Sequence, residues 1–405
     1  MKHLKTFLIM LVLVLVTACG TQENDHRTVA CIPVYGQSLA LGEEAERLTD
    51  FDSLAAYADG RIVTHQLDHR FGFFDNNVRK MWLKRLVNYR KRSFELSVYE
   101  MARQLADQTG SDTLLCIFPG GRGATEIANL KKGTQPYALF MEHLATACQE
   151  ATDRGWDFVV PAVCWMQGES DIVDYPEGDY QKKLTQMWRD MDHDIRQLTH
   201  QRDTVRFVCY QANSLTRAPQ FQADRFVCRE TGVPQAFVNL LSKESWCWAS
   251  GPTYPYHCVG EKIHIDAAGQ QAIGRLAARA VRGILDGAPR FRGVIPMMVE
   301  QEDETVVVHF DTPATELAID TIQVRKAAHY GFSVINPQNQ DIIDTVSLDG
   351  KTVRIRCTQS PAGCKVRYAV NGDRMKSGNL HGPRGNLRDT QGNWAYQFDR
   401  TIGEE

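Results

Sequence analysis

Between residues 28 and 287 the chain alternates apolar runs with amphipathic stretches, and this alternation constrains its fold more than any other feature. The amphipathic stretches carry apolar residues at i, i+3 and i+4, which predicts helices, whereas the continuous apolar runs predict buried strands. We expect strands at residues 29–35, 113–118, 158–165, 205–210 and 236–241, and helices at residues 94–108, 137–154, 180–199 and 267–285. This order favours a three-layer α/β domain with a parallel sheet, in which reactive groups collect beyond the carboxyl ends of the strands.

The pattern changes after residues 286–289, where short β-rich runs separated by turn residues replace the alternation. Asp349-Gly350 stands between two of these runs and is a strong hairpin signal. Residues 289–405 are therefore expected to form a small antiparallel β-sandwich-like domain. This domain could be a carbohydrate-binding module, a spacer or a piece that completes the active site, and we favour a packing or spacer role.

The first residues predict export. Lys2 and Lys5 precede an apolar run over residues 7–16, and small residues then lead to Cys19. This arrangement is typical of a secretory signal, and the run is shorter than the roughly 20 apolar residues of a transmembrane helix. Residues 16–19 (VTAC) resemble a bacterial lipobox, whose cysteine is lipidated, and a plain signal peptide is the alternative. We expect a signal peptide over residues 1–18, a tether over residues 19–27 and a protein that is lipid-anchored in the bacterial cell envelope, at the periplasmic face or the cell surface.

Composition and charge limit the partners and cofactors that can be expected. The chain has 405 residues and a formal net charge of -3, which gives no basis for a nucleic-acid partner. Its cysteines and histidines lack zinc-site spacing, so neither a metal nor another cofactor is expected. Disulfides persist in an exported protein, and loop spacing favours Cys247 with Cys258 and Cys357 with Cys364 as candidates.

A serine follows the first predicted strand directly, in the sequence Gly36-Gln37-Ser38. At a strand-to-helix turn a serine projects its hydroxyl out of the sheet, and its backbone N–H lies at a helix N-terminus, where it can bind an anion. Glycine beside such a turn permits close approach of the backbone. On its own, the motif is also compatible with a serine that only caps a helix.

Three further motifs fall at predicted strand ends. A glycine-rich turn over residues 119–127 could offer backbone N–H groups to an oxyanion, and Gln167 could add a side-chain amide donor. His264 precedes the last helix of the α/β region and can take a proton from a serine and return it to a leaving alkoxide. Each motif alone could be a tight turn, a cap or a structural histidine, but their common position at strand ends argues against independent accidents.

The ordered set resembles the SGNH hydrolases, within them the branch of sialate O-acetylesterases and acetylxylan esterases. In that branch the three blocks read G-Q-S, G-G-T-x-I and W-x-Q-G-E-x-D. This chain has GQS at residues 36–38, GATEI at residues 123–127 and WMQGESD at residues 165–171. The resemblance covers about residues 29–285 and implies a catalytic domain with a flavodoxin-like parallel sheet, which we place at residues 28–288. It leaves the accessory domain at residues 289–405 unexplained.

By position, the resemblance implies that Ser38 is the nucleophile and His264 the general base. It further implies an oxyanion hole formed by the backbone N–H groups of Ser38 and Gly123 together with the amide of Gln167. The family usually has an aspartate three residues before the histidine, where this chain has Glu261, and Glu261 is therefore expected to be the acid of the triad.

The glycine block also departs from the family pattern, because its second glycine is Ala124 here, and Gly121 remains an alternative to Gly123 as the oxyanion donor. Weaker contacts to substrate are expected from Gln37, Arg122 and Glu169. Arg122 could meet an acidic sugar or could be a solvated loop residue.

The reaction that the resemblance implies is the removal of acetyl groups from carbohydrates through an acyl-serine intermediate. The expected partners are an acetylated polysaccharide or glycan and, through the lipid anchor, a membrane. A sialate-specific O-acetylesterase and a non-catalytic glycan-binding lipoprotein are the alternatives. The intact Ser38, Gln167 and His264 argue against the non-catalytic alternative.

Overall fold

The computed structural model describes residues 26–64, 84–85, 94–172, 177–214, 232–373 and 375–403. The predicted signal peptide, the lipidation site at Cys19 and nearly all of the predicted tether lie outside these residues. Within the described ranges, no helix combines the length and the apolar character that a membrane span requires.

Short strands build the sheet of the α/β region. They are β1 (Thr28–Cys31), β2 (Val34–Gly36), β3 (Ile62–Thr64), β4 (Lys84–Arg85), β5 (Thr113–Cys116), β6 (Pro119–Gly121), β7 (Asp157–Val159), β8 (Ala162–Met166), β9 (Arg206–Gln211) and β10 (Cys247–Pro252). All pairings among them are parallel except that of β4 with β3.

Three of the sheet's strands are interrupted for two residues each, which divides them into β1/β2, β5/β6 and β7/β8. Pro33 and Pro161 lie in two of the interruptions. Since proline has no N–H to donate, each of them breaks the hydrogen-bond ladder of its strand. Hydrogen bonds nevertheless bridge the breaks, as from Cys164 N to Pro33 O at 2.9 Å. The strands therefore form one parallel sheet in the order β3, β5/β6, β1/β2, β7/β8, β9, β10, which contains the flavodoxin-like order and confirms the expected fold class.

Helices cover the sheet. They are α1 (Phe51–Ala56), α2 (Ser97–Ala106), α3 (Gln135–Asp153), α4 (Glu177–Thr199), α5 (Gly232–Lys243) and α6 (Ala267–Leu285). Helices α2 and α6 pack against each other, while α4 packs against α3 and α5. Helix α6 begins with an N-cap, since the Asp266 carboxylate accepts a hydrogen bond from Gly269 N at 2.8 Å.

The strand expected at residues 236–241 is wrong, because these residues belong to helix α5 and the next strand of the sheet is β10. Helix α5 contacts α4 on one side and C-terminal strands on another, so most of its side chains are buried. A short apolar run covered on several sides does not distinguish a buried helix from a buried strand.

In the part of the C-terminal region that the structure describes, the regular elements are β-strands and one short 3₁₀ turn. Its strands are β11 (Ile295–Glu302), β12 (Thr305–Asp311), β13 (Leu317–Ile319), β14 (Phe332–Ile335), β15 (Ile343–Asp349), β16 (Thr352–Cys357), β17 (Lys365–Tyr368), β18 (Leu387–Asp389) and β19 (Phe398–Thr401). They pair antiparallel in the orders β11-β12-β16-β15, β14-β17-β19 and β13-β18. The hairpin expected at Asp349-Gly350 joins β15 to β16, and Gly350 has the positive φ of 58° that this turn favours.

The C-terminal region shares a buried polar interface with the α/β region. The Gln211 amide donates to Gln397 O at 2.8 Å, and Gln397 N donates to Gln211 Oε1 at 2.8 Å. Tyr396 accepts a hydrogen bond from Gly251 N at 2.7 Å, and all three side chains are nearly or fully buried. Buried polar groups that satisfy each other hold two surfaces in one register. The sheets separate near residues 286–294, while the boundary between the domains at residues 28–288 and 289–405 stays a prediction.

Neither expected disulfide is present. Cys247, Cys258, Cys357 and Cys364 are buried and unbridged. Cys258 Sγ instead lies 3.8 Å from the Ser214 hydroxyl, which is the environment of a small buried hydrophobic residue with a weak S–H donor. Loop spacing alone therefore gave the wrong prediction for both pairs.

Candidate active site

Ser38 occupies the turn between strand β2 and a short 3₁₀ helix, Ser38–Leu41, at the carboxyl edge of the sheet. A Cβ on Gly36 would lie 1.9 Å from Met166 O, so only glycine allows β2 to lie this close to β8 before the turn. Gly42 ends the 3₁₀ helix in the left-handed conformation with φ 66°. These two glycines fix where the serine leaves the sheet, as the sequence predicts.

The structure brings Ser38 and His264 together across 226 positions of the sequence. His264 Nε2 lies 2.8 Å from Ser38 Oγ, which is the contact a general base requires. The His264 side chain is 14% exposed, and Ser38 is buried apart from a small opening. The serine hydroxyl can therefore pass its proton to an imidazole that is largely shielded from water.

Glu44 is the carboxylate that contacts the histidine. Its Oε2 lies 2.7 Å from His264 Nδ1, and its side chain is 48% exposed. A carboxylate at Nδ1 holds the imidazole in the tautomer that leaves Nε2 free to accept a proton. Glu44 is not among the residues that the motifs predict, and the signal that could have indicated it is the pair Glu43-Glu44, which follows an apolar turn just after the candidate nucleophile.

The expectation that Glu261 is the acid of the triad is wrong. Its carboxylate is bound by the C-terminal region instead: Lys376 Nζ lies 2.5 Å from Oε2, and His381 Nδ1 contacts Oε1. Hydrogen bonds from Lys376 first and His381 second lower the pKa of Glu261 to about 2. The partners lie more than a hundred residues downstream, so a local pattern around the histidine could not reveal them.

Two backbone N–H groups near Ser38 are candidates for an oxyanion hole. Within the described ranges, neither Ser38 N nor Gly123 N donates a hydrogen bond to another group of the chain. A methyl group placed on Gly123 would lie 3.9 Å from Ser38 Cβ, whereas one placed on Gly121 would lie 1.9 Å from Gly36 O. Gly121 is thus packed into the strand pair, and the geometry favours Gly123 as the second donor. Ala124 follows with φ 50°, a conformation that a glycine there would adopt without strain.

The side chain of Gln167 does not point a free donor at this position. It is fully buried, and its Nε2 donates to Thr125 O at 3.2 Å and to Asp171 Oδ2. Its Oε1 accepts from the Tyr180 hydroxyl at 2.8 Å. Both N–H bonds of the amide are therefore engaged, and the expected oxyanion donor instead braces the turn that carries Gly123.

The three residues expected to make weaker substrate contacts differ in their exposure. Gln37 and Glu169 are both fully buried, so neither is a direct substrate contact. Gln37 accepts from Ser170 N at 3.2 Å, and the Tyr210 hydroxyl lies 2.6 Å from both Glu169 oxygens. Burial raises the pKa of Glu169 to about 7. Arg122 is exposed in the turn beside Gly123, and its role toward substrate stays a prediction.

A cation site is not part of this arrangement in the described ranges, where no three His, Cys, Asp or Glu side chains gather as metal ligands. What the site offers is a serine hydroxyl, an imidazole and carboxylate in line with it, and two backbone N–H groups beside it. This combination suits acyl transfer from an ester, with the negative charge of the tetrahedral intermediate next to the N–H groups.

A parallel α/β sheet with a hydrogen-bonded serine, histidine and glutamate at its carboxyl edge has the arrangement of an ester hydrolase. Residues 96–282 match the model of a family described as carbohydrate esterase, sialic acid-specific acetylesterase. The match contains Gly123, Gln167 and His264 and begins after Ser38. It confirms the resemblance inferred from the motifs and supports a carbohydrate acetylesterase function.

The fold resembles that of one solved structure with a TM-score above 0.5. A carbohydrate acetylesterase from Xanthomonas citri superimposes with a TM-score of 0.64 at 15% identity, covering 92% of this chain and 80% of its own. A protein from Arabidopsis thaliana gives 0.45 at 14% identity, covering 64% and 98%. A carbohydrate acetylesterase from Sinorhizobium meliloti gives 0.33 at 12% identity, covering 64% and 99%. Among curated protein sequences, none matches this chain.

Proposed function

We propose that this protein is a serine esterase that releases acetate from O-acetylated carbohydrates. The observation that carries the proposal is the line of contacts from Ser38 Oγ through the His264 ring to Glu44, with contacts of 2.8 and 2.7 Å. These three side chains come from two loops at one edge of the sheet, and a non-catalytic glycan-binding protein would have no need of this alignment.

In the proposed first step, Ser38 Oγ attacks the acetyl carbonyl while His264 Nε2 takes the hydroxyl proton. The carbonyl oxygen becomes an oxyanion that accepts hydrogen bonds from Ser38 N and Gly123 N. Glu44 stabilises the imidazolium that forms. The carbon–oxygen bond to the sugar then breaks, and the sugar alkoxide leaves with the proton from His264, so that an acetyl-serine remains.

In the second step, His264 takes a proton from water, and the resulting hydroxide attacks the acetyl-serine carbonyl. The same two N–H groups hold the second oxyanion. The bond to Ser38 Oγ breaks, the serine recovers its proton from His264, and acetate is released. The substrate class comes from the family match, and the geometry supports the ester chemistry.

The test is acetate release from acetylated xylan, acetylated pectin and O-acetylated sialic acid, compared between the wild type, Ser38→Ala and Ser242→Ala. Ser242 is a serine on α5 that only donates to Asn239 O, so its variant controls for the loss of a hydroxyl. We expect Ser38→Ala to lose release by at least about 10⁴-fold. Equal release from the wild type and Ser38→Ala, or none from any substrate or from p-nitrophenyl acetate, would refute the proposal.

We further propose that Cys19 carries a lipid that anchors the protein in the bacterial cell envelope. The proposal is supported by the basic front, the short apolar run and the small residues that lead to Cys19. Radiolabelled palmitate should label the wild type in growing cells and should not label Cys19→Ala. Labelling of both proteins, or of neither, would contradict the anchor without affecting the esterase proposal.

A further inference from the structure

The geometry points to a positioning role for the C-terminal region. We call its residues 376–381 the strap, and the loop at residues 256–264 the histidine loop. The strap holds the histidine loop in the position that places His264 next to Ser38. This inference rests on the proposed function. It assigns the β-rich region a part in the reaction, in place of the packing or spacer role that the sequence favoured.

Side chains of the strap bind the histidine loop through the carboxylate of Glu261. Glu261 receives Lys376 at 2.5 Å on one oxygen and His381 on the other. His381 is itself contacted by Arg325, and Arg325 N donates to Asn379 O at 3.0 Å. The strap is therefore bound to its own region on one side and to the histidine loop on the other.

The backbone of the strap also forms hydrogen bonds with the histidine loop. Ser377 N donates to Glu261 O at 2.9 Å, and Asn379 N donates to Tyr256 O at 3.1 Å. Between them Gly378 has φ 84°, and a Cβ there would lie 2.8 Å from Cys258 N. Successive strap residues thus lie directly against the loop, with no room for a side chain at the centre of the contact.

The histidine loop carries this hold to His264 because it is closed on itself. Val259 N donates to His264 O at 2.8 Å, and Cys258 pairs with Ile265 as an isolated β-bridge. Gly260 and Glu261 both have φ 58°. A non-glycine residue in this conformation persists only where its surroundings hold it, and the strap provides that hold.

The catalytic contacts alone restrain His264 weakly. The imidazole bonds Ser38 on one side, and on the other side Glu44, whose half-exposed side chain is free to exchange its contact for water. The position of the ring is therefore set largely by its backbone. A displacement of about 1 Å can cost about 100-fold in rate, so a modest loosening of the loop is measurable as lost turnover.

The experiment compares Lys376→Met with Lys376→Arg and Lys365→Met in the full chain. Lys365 in β17 lies 3.9 Å from Asp399 in β19, so its variant removes a lysine ion pair from the same region and leaves the strap intact. For p-nitrophenyl acetate, with active sites counted by fluorophosphonate titration, we expect Lys376→Met to lower kcat about tenfold. KM should stay within about twofold because the substrate contacts are unchanged. Lys376→Arg should restore most of kcat, and Lys365→Met should match the wild type.

A second measurement does not depend on activity. Hydrogen exchange of residues 256–265 should become faster in Lys376→Met and stay unchanged in Lys365→Met. Unchanged exchange in Lys376→Met would overturn the inference, as would a kcat per active site equal to that of the wild type. If the wild type shows no turnover at all, the proposed esterase function fails, while the exchange result still decides whether the strap holds the loop.

Discussion

Replacing Glu44 by glutamine separates the observed triad from the one that the sequence pattern implies. The substitution keeps the size of the side chain and removes the charge that faces His264 Nδ1 at 2.7 Å. A glutamine can turn its NH₂ group toward Nδ1, which favours the tautomer with the proton on Nε2, where it no longer accepts the serine proton. The effect should therefore fall on the chemical step.

The magnitude follows from the exposure of Glu44. Replacing a buried triad carboxylate by its amide lowers kcat about 10⁴-fold. Glu44 is 48% exposed, so water can stabilise part of the charge on the imidazolium and the loss should be smaller. We expect kcat to fall about 100-fold, which corresponds to about 2.7 kcal/mol of activation free energy.

The assay is p-nitrophenyl acetate turnover with a stopped-flow measurement of the acylation burst. Glu46→Gln is the matched control, since Glu46 is an exposed glutamate two residues along the same segment. Acylation should become rate-limiting in Glu44→Gln, and the burst should disappear, while Glu46→Gln should behave as the wild type. A Glu44→Gln variant that keeps more than about half of the wild-type kcat would refute the assignment of Glu44 to the triad.

Two further predictions concern other carboxylates. Glu43 Oε2 lies 3.3 Å from a methyl group placed on Gly123, so its charge lies next to the candidate oxyanion donor. Glu43→Gln should therefore raise kcat/KM for acetylated uronate or sialate relative to acetylated xylan by roughly three- to tenfold, and an unchanged ratio would show that this charge is not felt there. Because the pKa of Glu169 is raised to about 7, the folded protein retains a proton that the unfolded chain releases near 4.5. The stabilisation that this proton gives the folded protein is present below pH 4.5 and is lost as the pH rises to about 7. In urea unfolding, the free energy of unfolding should therefore fall less steeply with pH for Glu169→Gln than for the wild type between these two values. Parallel pH dependences of the two proteins would contradict the shift.

Local patterns predicted a parallel sheet with Ser38 and His264 at one edge, but they placed a strand at residues 236–241, which form part of helix α5, and they missed β10. The alternation of apolar runs and helices predicted that the sheet is parallel, and a serine after β2 and a histidine before α6 were expected at the same edge. Both follow from the rule that carboxyl ends of parallel strands lie together. The structure then placed Ser38 Oγ 2.8 Å from His264 Nε2.

The errors concern residues whose partners lie far away along the chain or are not distinguished by pattern. Glu261 was assigned by its spacing from the histidine, but its carboxylate is bound by Lys376 and His381. Gln167 was assigned by its motif, but its amide is satisfied by Thr125 and Asp171. A residue type at the right spacing shows what chemistry is available, whereas the bonds that its atoms already make decide whether that chemistry is free.

The proposed role of the strap also has a consequence for the order in which the parts of the active site are synthesised. A chain leaves the ribosome from its N-terminus, so Ser38 and the Gly123 turn emerge early, and the histidine loop follows more than a hundred residues later. Residues 376–381, which contact that loop, emerge more than a hundred residues later again. A chain that ends before residue 376 would contain every reacting group and still lack the contacts that fix the position of the base.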